Sequence, residues 1–139
     1  MAGNVAGNVA DGGPAAPTTY RLHIRLAAPL SVTVGRLGTF LFPAGDYVYT
    51  GSALRNFEAR VARHFWRGTA ERPKPLRWHI DYLLARDEAA VLAVERLTMA
   101  ECAANRAVGG TVVAPGFGAS DCKAGCVSHL RYLGEKKPD

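Results

Sequence analysis

Gly45-Asp46-Tyr47-Val48-Tyr49-Thr50-Gly51-Ser52-Ala53 is the stretch from which the rest of this chain can be read. Aromatic and β-branched residues fill Asp46 to Thr50, no helical period can be traced, and a glycine stands on each side, so the pattern predicts a strand. Because side chains alternate along a strand, Tyr47 and Tyr49 share a face. Beyond it, Ser52 is placed to cap a helix, and Leu54, Phe57, Val61 and Phe65 recur as one helix face predicted to be core. Arg60 and His64, one turn apart, fall on the flank of that apolar stripe with Asn56 and Arg67 beyond, where they would rim a cleft rather than fill it. Gly68 is expected to close the helix in a left-handed conformation.

Outward from this centre, Tyr20 to Leu26 alternates polar and apolar residues as a half-buried strand does, and Val32-Thr33-Val34 with Gly35 suits a second strand that turns before Phe40. After the basic helix come a proline-interrupted link, a short helix over Trp78 to Ala85, a strand over Ala90 to Glu95, and a helix from Met99 to Val108 ended by Gly109-Gly110. A return segment is expected around Val127 to Leu133. Strands and helices mix without βαβ alternation, which predicts a small α+β domain with a largely antiparallel central sheet flanked by helices.

The composition fits one soluble domain: 139 residues, 48% hydrophobic and 21% charged. The formal charge of +5 is unevenly placed. Between Ser52 and Arg86 stand eight basic residues (Arg55, Arg60, Arg63, Arg67, Arg72, Lys74, Arg77, Arg86) against three acids (Glu58, Glu71, Asp81), which is the whole excess. Such a concentration suits a surface that neutralises phosphates, although arginine-rich helices also serve simply as soluble faces. Met1 to Pro17 is rich in Gly, Ala, Asn and Pro, repeats Ala-Gly-Asn-Val, and lacks the pattern of a signal peptide; it is expected to be a disordered tail. The domain is then expected over 18–134, with a polar tail at 135–139. No stretch approaches a membrane span and three cysteines make no disulfide framework, so a cytoplasmic protein without membrane contact is expected.

Several of these segments, in this order, resemble the GIY-YIG endonucleases, and within them a small Uri-type branch also found fused to endonuclease III-like proteins. The matching elements are a strand with Tyr20, the Gly45 to Ala53 strand, an Arg60-x-x-x-His64 helix, Trp78-His79-Ile80-Asp81-Tyr82-Leu83, a Glu101 helix, and Ser120-Asp121-Cys122 through Ser128-His129-Leu130. Where the family has Gly-Ile-Tyr this chain reads Thr18-Thr19-Tyr20, Tyr-Ile-Gly appears as Tyr49-Thr50-Gly51, and Pro29 to Phe42 looks inserted between them. The resemblance implies a GIY-YIG-like fold and a metal-dependent endonuclease acting on DNA, single-stranded or branched, with RNA also open. Catalytic roles would fall to Tyr20, Tyr49, Arg60, His64 and Glu101. Glu101 would hold one Mg²⁺ or Mn²⁺, Arg60 would clamp the phosphate, and Tyr49 or Tyr20 would activate water, as a phenolate favoured by the cationic helix. Arg55, Asn56, Arg63, Arg67, Lys74, Arg77 and His79 are the expected nucleic-acid contacts. The alternative is a non-catalytic nucleic-acid-binding module that accompanies a DNA repair enzyme.

Each assignment has a structural competitor. Thr98-Met99-Ala100-Glu101 fits a capping box in which Glu101 needs no metal, Tyr47 and Tyr49 suit any sheet, His64 suits a helix end, and His79 suits a buried hydrogen bond. Cys122, Cys126 and His129 have zinc-like spacing but lack a fourth ligand, which Cys102 or His79 could supply only through folding. Buried thiols in a loop are the expectation there.

Overall fold

The computed structural model describes residues 16–119, 122 and 124–135. The expected N-terminal tail up to residue 15, Ser120, Asp121, Lys123 and residues 136–139 of the C-terminal tail lie outside them.

The tyrosine stretch forms strand β4 (Gly45–Ser52), paired antiparallel with β1 (Thr19–Leu26) so that Tyr20 stands opposite Gly51 and Leu22 opposite Tyr49. β5 (Ala89–Leu97) adds to the far side of β1 and β6 (Leu130–Gly134) to the far side of β4, giving a four-stranded sheet in the order β5-β1-β4-β6, antiparallel throughout. The segment that looked inserted is a hairpin, β2 (Leu30–Val34) and β3 (Gly38–Phe42), which forms its own two-stranded sheet. The domain is α+β, as the mixed pattern predicts.

Alternation decides which face of the large sheet becomes core. Tyr20, Leu22, Ile24 and Leu26 from β1 and Tyr47 and Tyr49 from β4 point to one side, where Val61 of α1 (Phe57–Phe65), Ile80, Leu83 and Leu84 of α2 (His79–Leu84), and Phe42 and Phe117 bury them. The hairpin packs beneath α2 and contributes Leu30, Val32 and Val34 to the same core. On the opposite face, α3 (Glu101–Val108) crosses the outer part of β4, and Arg21 of β1 donates to the Ala104 carbonyl at 2.9 Å.

Helix α1 departs from expectation. Ser52 is the last residue of β4 and not its cap; the helix begins at Phe57 after Asn56, which takes a left-handed conformation (φ 53°) and makes no side-chain cap. Leu54 therefore lies outside the helix and is exposed, as is Phe65, while the buried face is Val61 with His64. The helix ends at Phe65 because Lys74 places its ammonium on the Arg63 and Trp66 carbonyls (2.6 and 2.9 Å), satisfying the helix end that Gly68 was expected to close. Gly68 takes the expected left-handed conformation (φ 76°) but lies beyond the helix end, where it bridges to Pro73. Likewise α3 starts at Glu101 rather than Met99, with Ala100 before it and no side-chain cap, so the Thr98 capping box does not form.

Candidate functional site

A cleft of about 230 Å³ opens where β1, β4, α1, α2 and α3 meet; Tyr20, Tyr49, Arg60, His64, Trp78 and Glu101 line it. The antiparallel register creates it. Tyr20 faces Gly51 across the ladder and Tyr49 lies diagonally beside it on the same face. A Cβ on Gly51 would sit 2.6 Å from the Tyr20 ring and hydroxyl, so only glycine at that place lets the phenol lie across the strand. Gly118 closes the other side in the same way: at φ 67°, its absent Cβ would come within 2.9 Å of the Tyr49 ring.

His64 was expected to rim the cleft and instead forms its wall. It is 2% exposed, and its Nε2 shares a 2.8 Å hydrogen bond with the Tyr20 hydroxyl. Burial, reinforced by the positive charges of Lys74, Arg63 and Arg60 and opposed by Asp81, pushes the imidazole down to about 4, so it is neutral throughout the physiological range. Burial likewise raises Tyr20 and Tyr49 well above the ordinary tyrosine value, and Arg60 only partly offsets this. The expected phenolate is therefore not available: desolvation outweighs the cationic helix, and both tyrosines keep their protons. Tyr47, which shares their strand face, does not reach the cleft. Its hydroxyl donates to the Pro43 carbonyl and its ring packs on Tyr132.

Trp78 organises the cationic side, which the sequence did not signal. The Arg60 and Arg63 guanidinium carbons lie 4.5 and 4.4 Å from its ring centroid, with Arg77 at 5.7 Å. Arg60 reaches the Ser52 carbonyl only at 3.4 Å and lines the cleft. Arg63 is committed elsewhere. It grips Asp81 through two hydrogen bonds of 2.8 and 3.0 Å, and the Asp81 carboxylate, fully buried, also accepts the Arg77 and Trp78 backbone N–H groups at 2.8 Å. Burial alone would raise Asp81, but Arg63 and these amides hold it below the usual carboxylate range.

Two more of the expected nucleic-acid contacts are structural. Arg67 donates to the Ala89 and Arg86 carbonyls (2.6 and 2.8 Å), tying the end of α1 to the start of β5. Lys74 is buried against the end of α1, its ammonium consumed by carbonyls. Arg55, Asn56 and Arg77 are exposed. His79 lines the cleft, its Nδ1 accepting from the Gly118 N–H at 2.9 Å; burial lowers its pKa, so the neutral ring carries its proton on Nε2.

Glu101 enters from the opposite face of the sheet. Ser52 Oγ donates to its Oε1 at 2.5 Å and His129 Nδ1 to its Oε2 at 2.7 Å. Burial opposes ionisation, but these two donors hold the carboxyl below its ordinary value, so it stays a carboxylate facing the cleft. A single carboxylate in a polar, water-wide cleft suits a hard divalent cation that keeps most of its waters.

Behind Glu101 lies a second group of donors. The Sγ atoms of Cys102, Cys122 and Cys126 and a ring nitrogen of His129 all lie within 4.8 Å of one another, a set able to hold a metal ion. Cys102, adjacent to Glu101 on α3, is the fourth donor that the Cys122, Cys126, His129 spacing lacked, and the thiols are half-buried rather than sealed in a loop. The fold alone brings it there.

Residues 19–139 match the family model described as Domain of unknown function DUF123. The chain belongs to the DUF123 family. None of the curated proteins or solved structures compared with this DUF123 chain matches it. Among the described residues no helix is long and apolar enough to cross a membrane.

Proposed function

We propose that this DUF123 chain is an endonuclease that hydrolyses phosphodiester bonds of DNA, single-stranded or branched, with one Mg²⁺ or Mn²⁺ at Glu101. The observation that carries the reading is the meeting of Tyr20, Tyr49, Arg60, His64 and Glu101, the residues singled out by the resemblance to GIY-YIG nucleases, around one cleft. Arg60, braced on Trp78, binds the non-bridging phosphate oxygens with its planar fork. The Tyr20 oxygen orients the attacking water. As the water oxygen bonds to phosphorus, its proton passes to the Tyr20 oxygen while the Tyr20 proton moves to His64 Nε2. The phenol is thus never left as a phenolate, and a neutral imidazole is the partner this relay needs. The departing oxygen takes its proton from solvent as the P–O bond breaks. Tyr49 packs edge-on against His64, the partner of Tyr20, and His79 offers Nε2–H to the phosphate. The metal would neutralise the phosphoryl oxygens and the leaving oxygen.

Labelled single-stranded, duplex, branched and flapped DNA, and matching RNA, incubated with chelator, Mg²⁺ or Mn²⁺, test this. Metal-dependent products are expected from the wild type, and none from Arg60→Ala or Glu101→Ala with unchanged circular dichroism. One observation favours a second reading: both Glu101 oxygens already accept hydrogen bonds, as a purely structural acid would. If wild type and Glu101→Ala give identical product traces while both bind DNA, the domain is a non-catalytic nucleic-acid-binding module accompanying a repair enzyme.

A further inference from the structure

We propose that Cys102, Cys122, Cys126 and His129 Nε2 form a four-coordinate Zn²⁺ site that fixes Glu101 through His129; the metal site itself stands whether or not the cleft is a nuclease centre. Three thiols and one imidazole are the soft and borderline donors that select zinc over the hard cations, and four protein ligands with no open position make a structural site rather than a catalytic one.

The independent observation is on His129. The ring is 2% exposed; Nδ1 is used by Glu101 Oε2 at 2.7 Å, yet Nε2 is buried with no hydrogen-bond partner. An unpartnered buried ring nitrogen is costly, and a ring nitrogen of His129 lies within 4.8 Å of the three sulfurs. A disulfide between Cys102 and Cys122, whose sulfurs lie 3.1 Å apart, would leave both that nitrogen and Cys126 without a role. A metal uses all four. Ligands of a tetrahedral zinc thiolate site lie roughly 3.8 Å apart, inside the 4.8 Å that bounds this group, so closure needs side-chain adjustments only.

The scaffold is already fixed on two sides. The His129 backbone donates to the Phe117 carbonyl at 2.8 Å and accepts from the Thr50 N–H at 3.0 Å, and Asn105 of α3 donates to the Ser128 carbonyl at 2.8 Å. Zinc would join α3 to the loop before β6 at the point where that loop carries the ring. With Nε2 on the metal, the remaining proton sits on Nδ1 and is donated to Glu101. Such a carboxylate–histidine–zinc chain fixes tautomer, ring and carboxylate together. Glu101 would then owe its place in the cleft to a metal on the other side of its partner.

Full-length protein purified under reducing conditions is analysed by inductively coupled plasma mass spectrometry and reconstituted with Co²⁺ as a spectroscopic probe. Expected are one zinc per chain, and a cobalt form with intense visible bands of tetrahedral geometry and near-ultraviolet thiolate charge transfer. All three thiols should be protected from alkylation until a chelator strips the metal. Cys126→Ser should weaken zinc binding, measured against a chromophoric chelator, by about 100-fold or more. Glu101→Gln should keep one zinc per chain and weaken it by only about 10-fold, the effect of a second-layer partner. Because thiol protection is read on the wild type, a variant that fails to fold does not remove the test. Absence of zinc with an octahedral cobalt spectrum, thiols that alkylate equally with and without added zinc, or a Cys102–Cys122 disulfide in freshly reduced-cell protein would each overturn the site.

Discussion

A phenol buried beside an imidazole keeps its proton, and that constrains what Tyr20 and His64 can do. His64 takes a proton only near pH 4 in the folded protein but near its ordinary value of 6.5 when unfolded. Between those values the unfolded chain binds the extra proton, so folding stability falls as the pH drops from about 6.5 to about 4, by roughly 3 kcal/mol from this residue, and nothing is lost above that window. Urea midpoints measured across it should fall steeply for the wild type and less so for His64→Gln; parallel curves would contradict a neutral buried imidazole. Arg60 makes the complementary case for charge. Its fork lies against Trp78 at the cleft, so Arg60→Lys, which keeps the charge but loses the plane and the stack, should lower cleavage by about 10²-fold while binding of uncleaved DNA changes by less than about 10-fold. Single-turnover rates alongside equilibrium binding separate the two. The sequence could point to both residues because their helical spacing is local. It could not reveal that His64 faces inward, because that depends on where α1 begins, and the start moved from Ser52 to Asn56 without a side-chain cap.

The link between helices rests on one acid. Asp81 sits at the third position of α2, accepts the N–H groups of Arg77 and Trp78, and receives the Arg63 fork from α1 while fully buried. Asp81→Ala strands those donors and loosens Arg63, and should cost on the order of 3 kcal/mol in chemical unfolding. Arg63→Ala should cost a similar amount; a double variant that loses no more than either single one would show that the two act as a unit. The same hub holds Trp78, so loss of α2 order should also remove the brace under Arg60. The strands were legible because alternation and β-branched runs are local signals, and β1, β4 and β5 lie close to where they were expected. The hairpin of β2 and β3 is also visible in sequence as a turn glycine, whereas the capping role of Asp81 in α2 emerges only in the structure. What was not legible was every contact that joins distant segments: Glu101 to Ser52 and His129, and Cys102 to Cys122 and Cys126. A capping box was the local reading of Glu101, and a tertiary partner outcompeted it.

Net charge belongs to the molecule, but its use is divided. Of the eight basic residues between Ser52 and Arg86, Arg63 is committed to a buried acid, and Arg67 and Lys74 hold backbone carbonyls, so the excess visible in the sequence overstates what faces a phosphate backbone. Arg55, Arg60, Arg72 and Arg77 remain at the surface or in the cleft, and Arg86, half-buried, reaches the Ser31 carbonyl at 3.4 Å. The division makes two kinds of substitution separable. Arg77→Ala should weaken DNA binding uniformly across sequences and flatten the dependence of log K on log salt by about one contact, with the unfolding midpoint unchanged. Arg67→Ala should do the reverse, leaving the salt slope alone and lowering stability by about 1 to 3 kcal/mol, because two carbonyls at the junction of α1 and β5 lose their donor. Fluorescence anisotropy over a salt series, paired with urea unfolding of the same preparations, reads both. Equal slopes for wild type and Arg77→Ala would place the nucleic-acid path away from this face, and the positive segment would then be a solvated surface that happens to adjoin the cleft.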